Sequence, residues 1–146
     1  MPSFSAPDPM VALAVNGMGY ILLSLSNQKS LTSAGLVNAA ILGLGLWTFL
    51  GLGGWSVCVA YLILGSLVTK VKMAEKEKLG IAEKREGRRG PENVWGSAAV
   101  GMLFAMLTYF DPIHAGLFQV GYVASLATKL SDTFQSEIGK AYGKTA

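Results

Sequence analysis

Between Lys129 and Lys144 the chain reads KLSDTFQSEIGKAYGK, and here an apolar segment gives way to charge, hydroxyls and small residues. At 3.6 residues per helical turn, Asp132, Ser136, Gly139 and Gly143 fall at offsets zero, four, seven and eleven and line up as one stripe. A stripe with a carboxylate and almost no bulk lets a phosphate-bearing ligand, or a second backbone, come close. Glu137 and the lysines Lys129, Lys140 and Lys144 add charge beside it. Asp132 and Glu137 are five apart and do not stack. Both can still reach one Mg²⁺ through water, because this ion keeps several waters and takes one or two carboxylates plus substrate phosphates. The same residues equally suit a polar helix end emerging into water, and spacing alone leaves the two readings open.

A second cluster, Lys84, Arg85, Arg88 and Arg89, sits in the loop GIAEKREGRRGPEN. Short cytosolic loops accumulate such cations to set topology or to touch anionic lipids. Guanidinium forks also grip phosphoryl oxygens bidentately, so the same cluster suits a triphosphate or a lipid phosphate. Other chemistries are easier to exclude. No G-x-x-x-x-G-K-[ST] loop and no G-x-G-x-x-G fingerprint is present. Cys58 is the single cysteine, so neither a disulfide framework nor a cysteine metal site is possible within the chain. His114 has no companion ligands and reads as a turn residue. Net charge is +3, but membrane topology accounts for the basic groups, so no nucleic-acid partner is expected.

The elements that must hold these residues are membrane helices. Apolar residues make up 51% of the chain, charged residues only 14%, and the mean hydropathy is +0.44, whereas soluble domains carry about 25% charged residues. Long uncharged runs approach the ~18 residues needed to cross hydrocarbon, and helix is the default there because backbone groups must be satisfied internally. The runs predict an all-α, polytopic bundle of about five spans: Pro9 to Leu25, Ala34 to Leu50, Gly54 to Thr69, Asn93 to Phe110 and Ile113 to Leu130. Residues 1–146 form one membrane domain in this reading, with a basic cytosolic helix and loop at 70–92.

Alternating the five spans sends every Lys and Arg to one side, which the positive-inside rule makes the cytosol. The N-terminus, Asp111 and His114 are then outside, and the stripe at Asp132 faces cytosolic nucleotide. No basic n-region precedes the first run, so it reads as a true span rather than a secretory signal. Asn16, Asn38 and Gln119 lie within spans and are expected to hydrogen-bond between helices. The alternating charges of KVKMAEKEKL, from Lys70 to Leu79, predict a solvated helix continuing the third span, with Lys72 placed before Lys76 and Glu75 before Lys78.

The block TKLSDTFQSEIGKAYGK, together with KSLTSAG at 29–35, GLGGW at 51–55 and EKREGRRG at 83–90, resembles the integral membrane family that includes the phytyl-phosphate kinase of tocopherol biosynthesis. An Asp followed by Gly at plus seven and plus eleven is also similar to the CTP-dependent dolichol and phytol kinases. The resemblance covers most of the chain. One departure is Gln135, where the family more often has a small residue. The resemblance implies a transferase in a bacterial, cyanobacterial or plastid membrane, active on the cytosolic face, moving a phosphoryl group from CTP to an isoprenoid monophosphate with Mg²⁺ as cofactor. It implies Asp132 and Glu137 as catalytic metal ligands. Lys84, Arg85, Arg88, Arg89, Lys129, Ser136, Gly139, Lys140, Gly143 and Lys144 would bind nucleotide or phosphate, with Asn16, Lys29 and Asn93 in support. The expected partners are isoprenoid lipid phosphate, nucleotide and bilayer, with self-association left open. Family members continue past the Lys144 position with further spans and a glycine-rich PGT-type motif, so the chain is expected to match the N-terminal part of a longer domain. A non-catalytic membrane protein or transporter element, with intramembrane Asn and Gln lining a path, is the alternative.

Overall fold

The computed structural model describes residues 8–25, 31–82 and 88–143. Its elements are helices α1 (Pro9–Leu25), α2 (Ser33–Lys70), α3 (Met73–Lys78), α4 (Pro91–Phe110) and α5 (Ala115–Tyr142). Among the described residues the only extended pairing is a single parallel bridge between Leu31 and Arg89.

Helix starts follow local chemistry. Thr32 caps α2, its hydroxyl accepting from the Gly35 N–H at 3.0 Å, which satisfies one of the amides a helix start leaves unpaired. Pro91 opens α4, where a missing N–H costs nothing.

Helix α2 covers 38 residues, but Gly51 interrupts it with φ 65° and ψ −160°. At ~1.5 Å per residue, Gly35 and Gly65 would lie ~45 Å apart on a straight helix. Both contact Arg89 instead, and the rings of Trp47 and Trp55 meet at 5.7 Å. Helix α2 is therefore a helical hairpin whose arms, before and after Gly51, match the second and third predicted runs. A positive φ with extended ψ is a conformation that essentially only glycine adopts.

The core joins both arms of α2 to α4 and α5 through Leu42, Leu46, Leu50, Tyr61, Ala98, Ala105, Tyr122 and Leu126. Tyr122 donates its phenolic hydrogen to the Gly54 carbonyl at 2.6 Å, tying α5 to the hairpin bend. Asn16 and Asn38 make the expected interhelical bonds, accepting from the indole N–H groups of Trp55 (3.1 Å) and Trp95 (2.8 Å). Gln119 is exposed on α5. Outward positions of the helices are apolar, among them Ile41, Leu67, Leu103, Leu117 and Val120. Helices α2 and α4 contain windows long and apolar enough to cross a membrane. An apolar exterior is what a bilayer solvates and water does not.

The segment after α2 departs from the sequence expectation. Lys72 adopts a left-handed conformation (φ 49°), so α3 is a separate short helix rather than a continuation. It is also not fully solvated: Lys76 is buried at 1% exposure. Lys72 pairs with Glu75 at 3.2 Å and lies over the Tyr142 ring at 4.4 Å. Alternating charge is compatible with one face docking when the partner face supplies a carboxylate, and α5 supplies Glu137.

Candidate functional site

Helix α5 continues without a break past Leu130 to Tyr142, so the stripe forms as its spacing requires. Asp132, Ser136 and Gly139 are exposed along it, and a Cβ added at Gly139 would meet nothing within 4 Å. Gly143 caps the helix, its N–H donating to the Gly139 carbonyl at 2.8 Å. Asp132, with 68% of its side chain exposed, accepts from Lys129 at 2.9 Å through one oxygen. Gln135 is exposed and reaches back to Ser131.

Glu137 lies beside the stripe on the covered side of α5 and is only 2% exposed. Its Oε2 accepts from Lys76 Nζ at 2.6 Å and its Oε1 from Lys140 Nζ at 2.7 Å. Lys76 also donates to the Thr69 carbonyl at 2.6 Å. Burial pushes the Glu137 carboxyl up, but hydrogen bonds and charge from Lys140 and Lys76 outweigh it and hold the group below the ordinary glutamate range.

The two carboxylates thus differ as ligands for a divalent ion. Asp132 has a free oxygen facing solvent. Both Glu137 oxygens already accept from ammonium groups, so an ion at Glu137 would compete with two lysines for it. Among the described residues no cluster of three or more His, Cys, Asp or Glu side chains is placed to hold a metal. What remains fits Mg²⁺ held by one carboxylate, water and ligand phosphate.

Arg89 is the cation that the structure moves to the centre. Its backbone carbonyl accepts from the Thr32 N–H at 3.0 Å, holding the loop before α4 against the start of α2. Its guanidinium, at 9% residue exposure, donates to the Tyr61 hydroxyl at 3.3 Å and stands 5.5 Å from that ring's centre. Tyr61 in turn donates to Ser97 at 2.7 Å. Gly35 and Gly65 make room for this: a Cβ on the first would strike the Arg89 carbonyl, and one on the second the guanidinium. Among the ion pairs formed by the described residues, none involves Arg89.

Two cavities meet at this arginine. One, of about 150 Å³, is polar and is lined by Arg89, Asn93, Lys129, Asp132, Ser136 and Glu137, with Tyr61, Thr69, Ser97 and Thr133 completing its wall. The other, of about 300 Å³, is apolar and runs between α1, the two arms of α2 and the start of α4. Tyr61, Arg89 and Asn93 line both. Asn93 is fixed there by accepting from the Gly90 N–H at 3.2 Å.

The tertiary structure therefore gathers Arg89, Asn93, Lys129, Asp132, Ser136 and Glu137 around one cavity, and places Asn16 on the apolar one. Lys140 reaches it through Glu137. Gly139 and Gly143 lie on the adjoining exposed face. Arg88 is half-buried and engaged with a partner of its own. Lys29, Lys84, Arg85 and Lys144 lie outside the described residues. Sequence reasoning missed Tyr61 and Ser97, polar residues at membrane-helix positions, and Lys76, which no local signal separates from its solvated neighbours.

A comparison with family models matches residues 16–146 to the family described as integral membrane protein DUF92. The chain is 48% identical over 134 residues to an uncharacterised membrane protein of Synechocystis, covering 91% of this chain and 52% of that one. It is 43% identical over 144 residues to the chloroplastic protein VTE6 of Arabidopsis thaliana, covering 97% and 43% respectively. It is 32% identical over 135 residues to an uncharacterised membrane protein of Methanocaldococcus jannaschii, covering 90% and 54%. The chain thus spans about half the length of these relatives. No solved structure matches it. With nearly all of its length matched by the family model, the chain belongs to the integral membrane protein family DUF92.

Proposed function

We propose that this chain serves a membrane kinase reaction in which a nucleoside triphosphate such as CTP phosphorylates an isoprenoid monophosphate of the phytyl phosphate type. The observation that carries the reading is Arg89: a buried guanidinium with no carboxylate partner among the described residues, standing where an apolar cavity meets a polar one. A buried charge is costly unless paired, and an anionic headgroup attached to an apolar tail supplies both the pair and the filling. Similarity to VTE6 and the motif resemblance to polyprenol kinases support the same substrate class.

In this reading the tail occupies the apolar cavity and the phosphate rests against Arg89 and Asn93. The donor enters from the α5 face, where Lys129 and Lys140 balance its charge and Ser136 and Gly139 keep the approach open. A phosphate oxygen of the lipid attacks the γ-phosphorus of the nucleotide, the bond from that phosphorus to the β–γ bridging oxygen breaks, and the diphosphate lipid and nucleoside diphosphate leave. Such transfers need chiefly in-line positioning and neutralisation of oxygen charge. Mg²⁺, when bound with the nucleotide at Asp132, supplies part of that neutralisation. The five-span topology with the polar cavity on the cytosolic side belongs to this proposal, since the nucleotide is cytosolic.

The test is binding of phytyl phosphate to the full polypeptide in nanodiscs, by calorimetry. Arg89→Gln removes a charge-assisted contact worth about 1.5–3 kcal/mol and is expected to weaken the lipid phosphate roughly 10- to 100-fold while leaving phytol binding unchanged. Equal affinity of wild type and Arg89→Gln for the phosphate would overturn the reading and leave a membrane scaffold or transporter element.

A further inference from the structure

The apolar cavity has a definite far end. Arg89 marks its mouth, against Gly35 on the first arm of α2 and Gly65 on the second. At the opposite end Asn16 Oδ1 accepts from Trp55 Nε1 at 3.1 Å, and the Asn16 amide nitrogen donates to the Ala12 carbonyl at 2.8 Å. The oxygen and the nitrogen of the Asn16 amide thus both have protein partners, which suits a wall of the cavity. Gly43 is the seat of this pair. A Cβ there would collide with the Asn16 carbonyl oxygen and stand 3.4 Å from the Trp55 nitrogen. From Gly35 to Gly43 on one arm and from Gly65 to Trp55 on the other, the rise is ~12–15 Å. Between the ends the wall is built partly from small residues, Gly19, Ala39 and Ala40 among them.

We propose that the Asn16–Trp55 hydrogen bond, seated on Gly43, is the floor of the lipid cavity and sets the isoprenoid chain length the protein accepts. The inference rests on the lipid-phosphate reading above. An isoprenoid tail long enough to reach the floor gains affinity with every buried methylene, about fourfold each. Carbons beyond the floor must leave the cavity or displace Trp55, whose ring is held edge-on against Trp47, so the gain stops.

The test measures affinities of geranyl, farnesyl, phytyl and solanesyl phosphates for the full polypeptide in nanodiscs. Wild type should tighten from geranyl to farnesyl phosphate, whose extended chain already spans the depth of the cavity, and then level off or weaken at phytyl and solanesyl phosphates. Trp55→Ala removes the floor and should raise the phytyl-to-farnesyl affinity ratio roughly tenfold. Ala40→Leu fills the cavity partway along and should shift the preference to the shortest tail, which keeps the inference testable if the Trp55 variant fails to fold. If wild type binds these phosphates but the rank order is the same in the variants that fold, the floor is wrong and the lipid-phosphate reading stands. If wild type binds none of them, the lipid-phosphate reading itself falls, and the floor with it.

Discussion

Glu137 illustrates how a residue's role depends on which face of its helix is covered. Its buried ion pair with Lys76 fastens α3 to α5 beneath the polar cavity. Breaking such a pair leaves an uncompensated buried charge, so Glu137→Gln is expected to cost about 3–5 kcal/mol, read as a large drop in thermal midpoint in detergent. The double change Lys76→Met with Glu137→Leu should recover most of it, because both charges then leave the interior. The pH dependence has a fixed sign. The folded carboxyl is held below its unfolded value, so its stabilisation is complete above the ordinary glutamate range, near pH ~4.3, and is lost as pH falls through the lower folded value. Glu137→Gln should flatten that acid limb.

Asp132 is the contrasting case. Its exposed pair with Lys129 contributes about 0–1 kcal/mol to stability. Asp132→Asn should therefore leave the thermal midpoint within about 1 kcal/mol equivalent while abolishing Mg²⁺-dependent binding of CTP, measured by calorimetry with and without the ion. Gly139→Leu probes the same face by shape: open space surrounds it and leucine forms helix better than glycine. The fold should hold and nucleotide affinity should fall. Unchanged CTP binding in both variants would remove the nucleotide from this face.

Among the elements, the α2 hairpin positions everything else. Its two arms form opposite walls of the apolar cavity and carry Tyr61 and the two glycines that admit Arg89. The reversal depends on Gly51, where a Cβ would meet no atom within 4 Å but φ is +65°. The penalty for Gly51→Ala is therefore backbone strain without a clash, about 1–3 kcal/mol. Gly53→Ala, where a Cβ also meets nothing and φ is ordinary, is the matched control and should be neutral or slightly stabilising. Thermal unfolding of the pair measures the strain directly. Equal midpoints would show that the bend tolerates a side chain.

For the whole molecule, the testable quantity is orientation. The turn between α4 and α5 carries Asp111 and His114, whose hydrogen bond at 2.9 Å holds the Asp111 carboxyl below its usual range. Lys78 ends α3, beyond the second arm of α2. With Cys58 replaced, single cysteines at Asp111 and Lys78 should label from opposite faces of sealed vesicles, the first from outside and the second only after permeabilisation. Labelling of both from one face would overturn the five-span topology.

The sequence by itself determined the helices and their class, because hydrocarbon forbids unpaired backbone groups and an apolar run of sufficient length has no other solution. Pro9–Leu25 is read to the residue, and the stripe from Asp132 to Gly139 is legible from helical periodicity alone. The interhelical roles of Asn16 and Asn38 were legible too, since a polar group in an apolar span favours a partner, whereas Gln119, read the same way, lies exposed on α5. Periodicity describes one element at a time, and the rest was decided between elements. Arg89 and Lys76 belong to charge runs in which each cation looks like its neighbours. Only the closing of the α2 hairpin buries the first beside Tyr61, and only the docking of α3 on α5 pairs the second with Glu137. The junction of an apolar and a polar cavity at Arg89 has no local signature, because its walls come from α1, α2, α4 and α5 together.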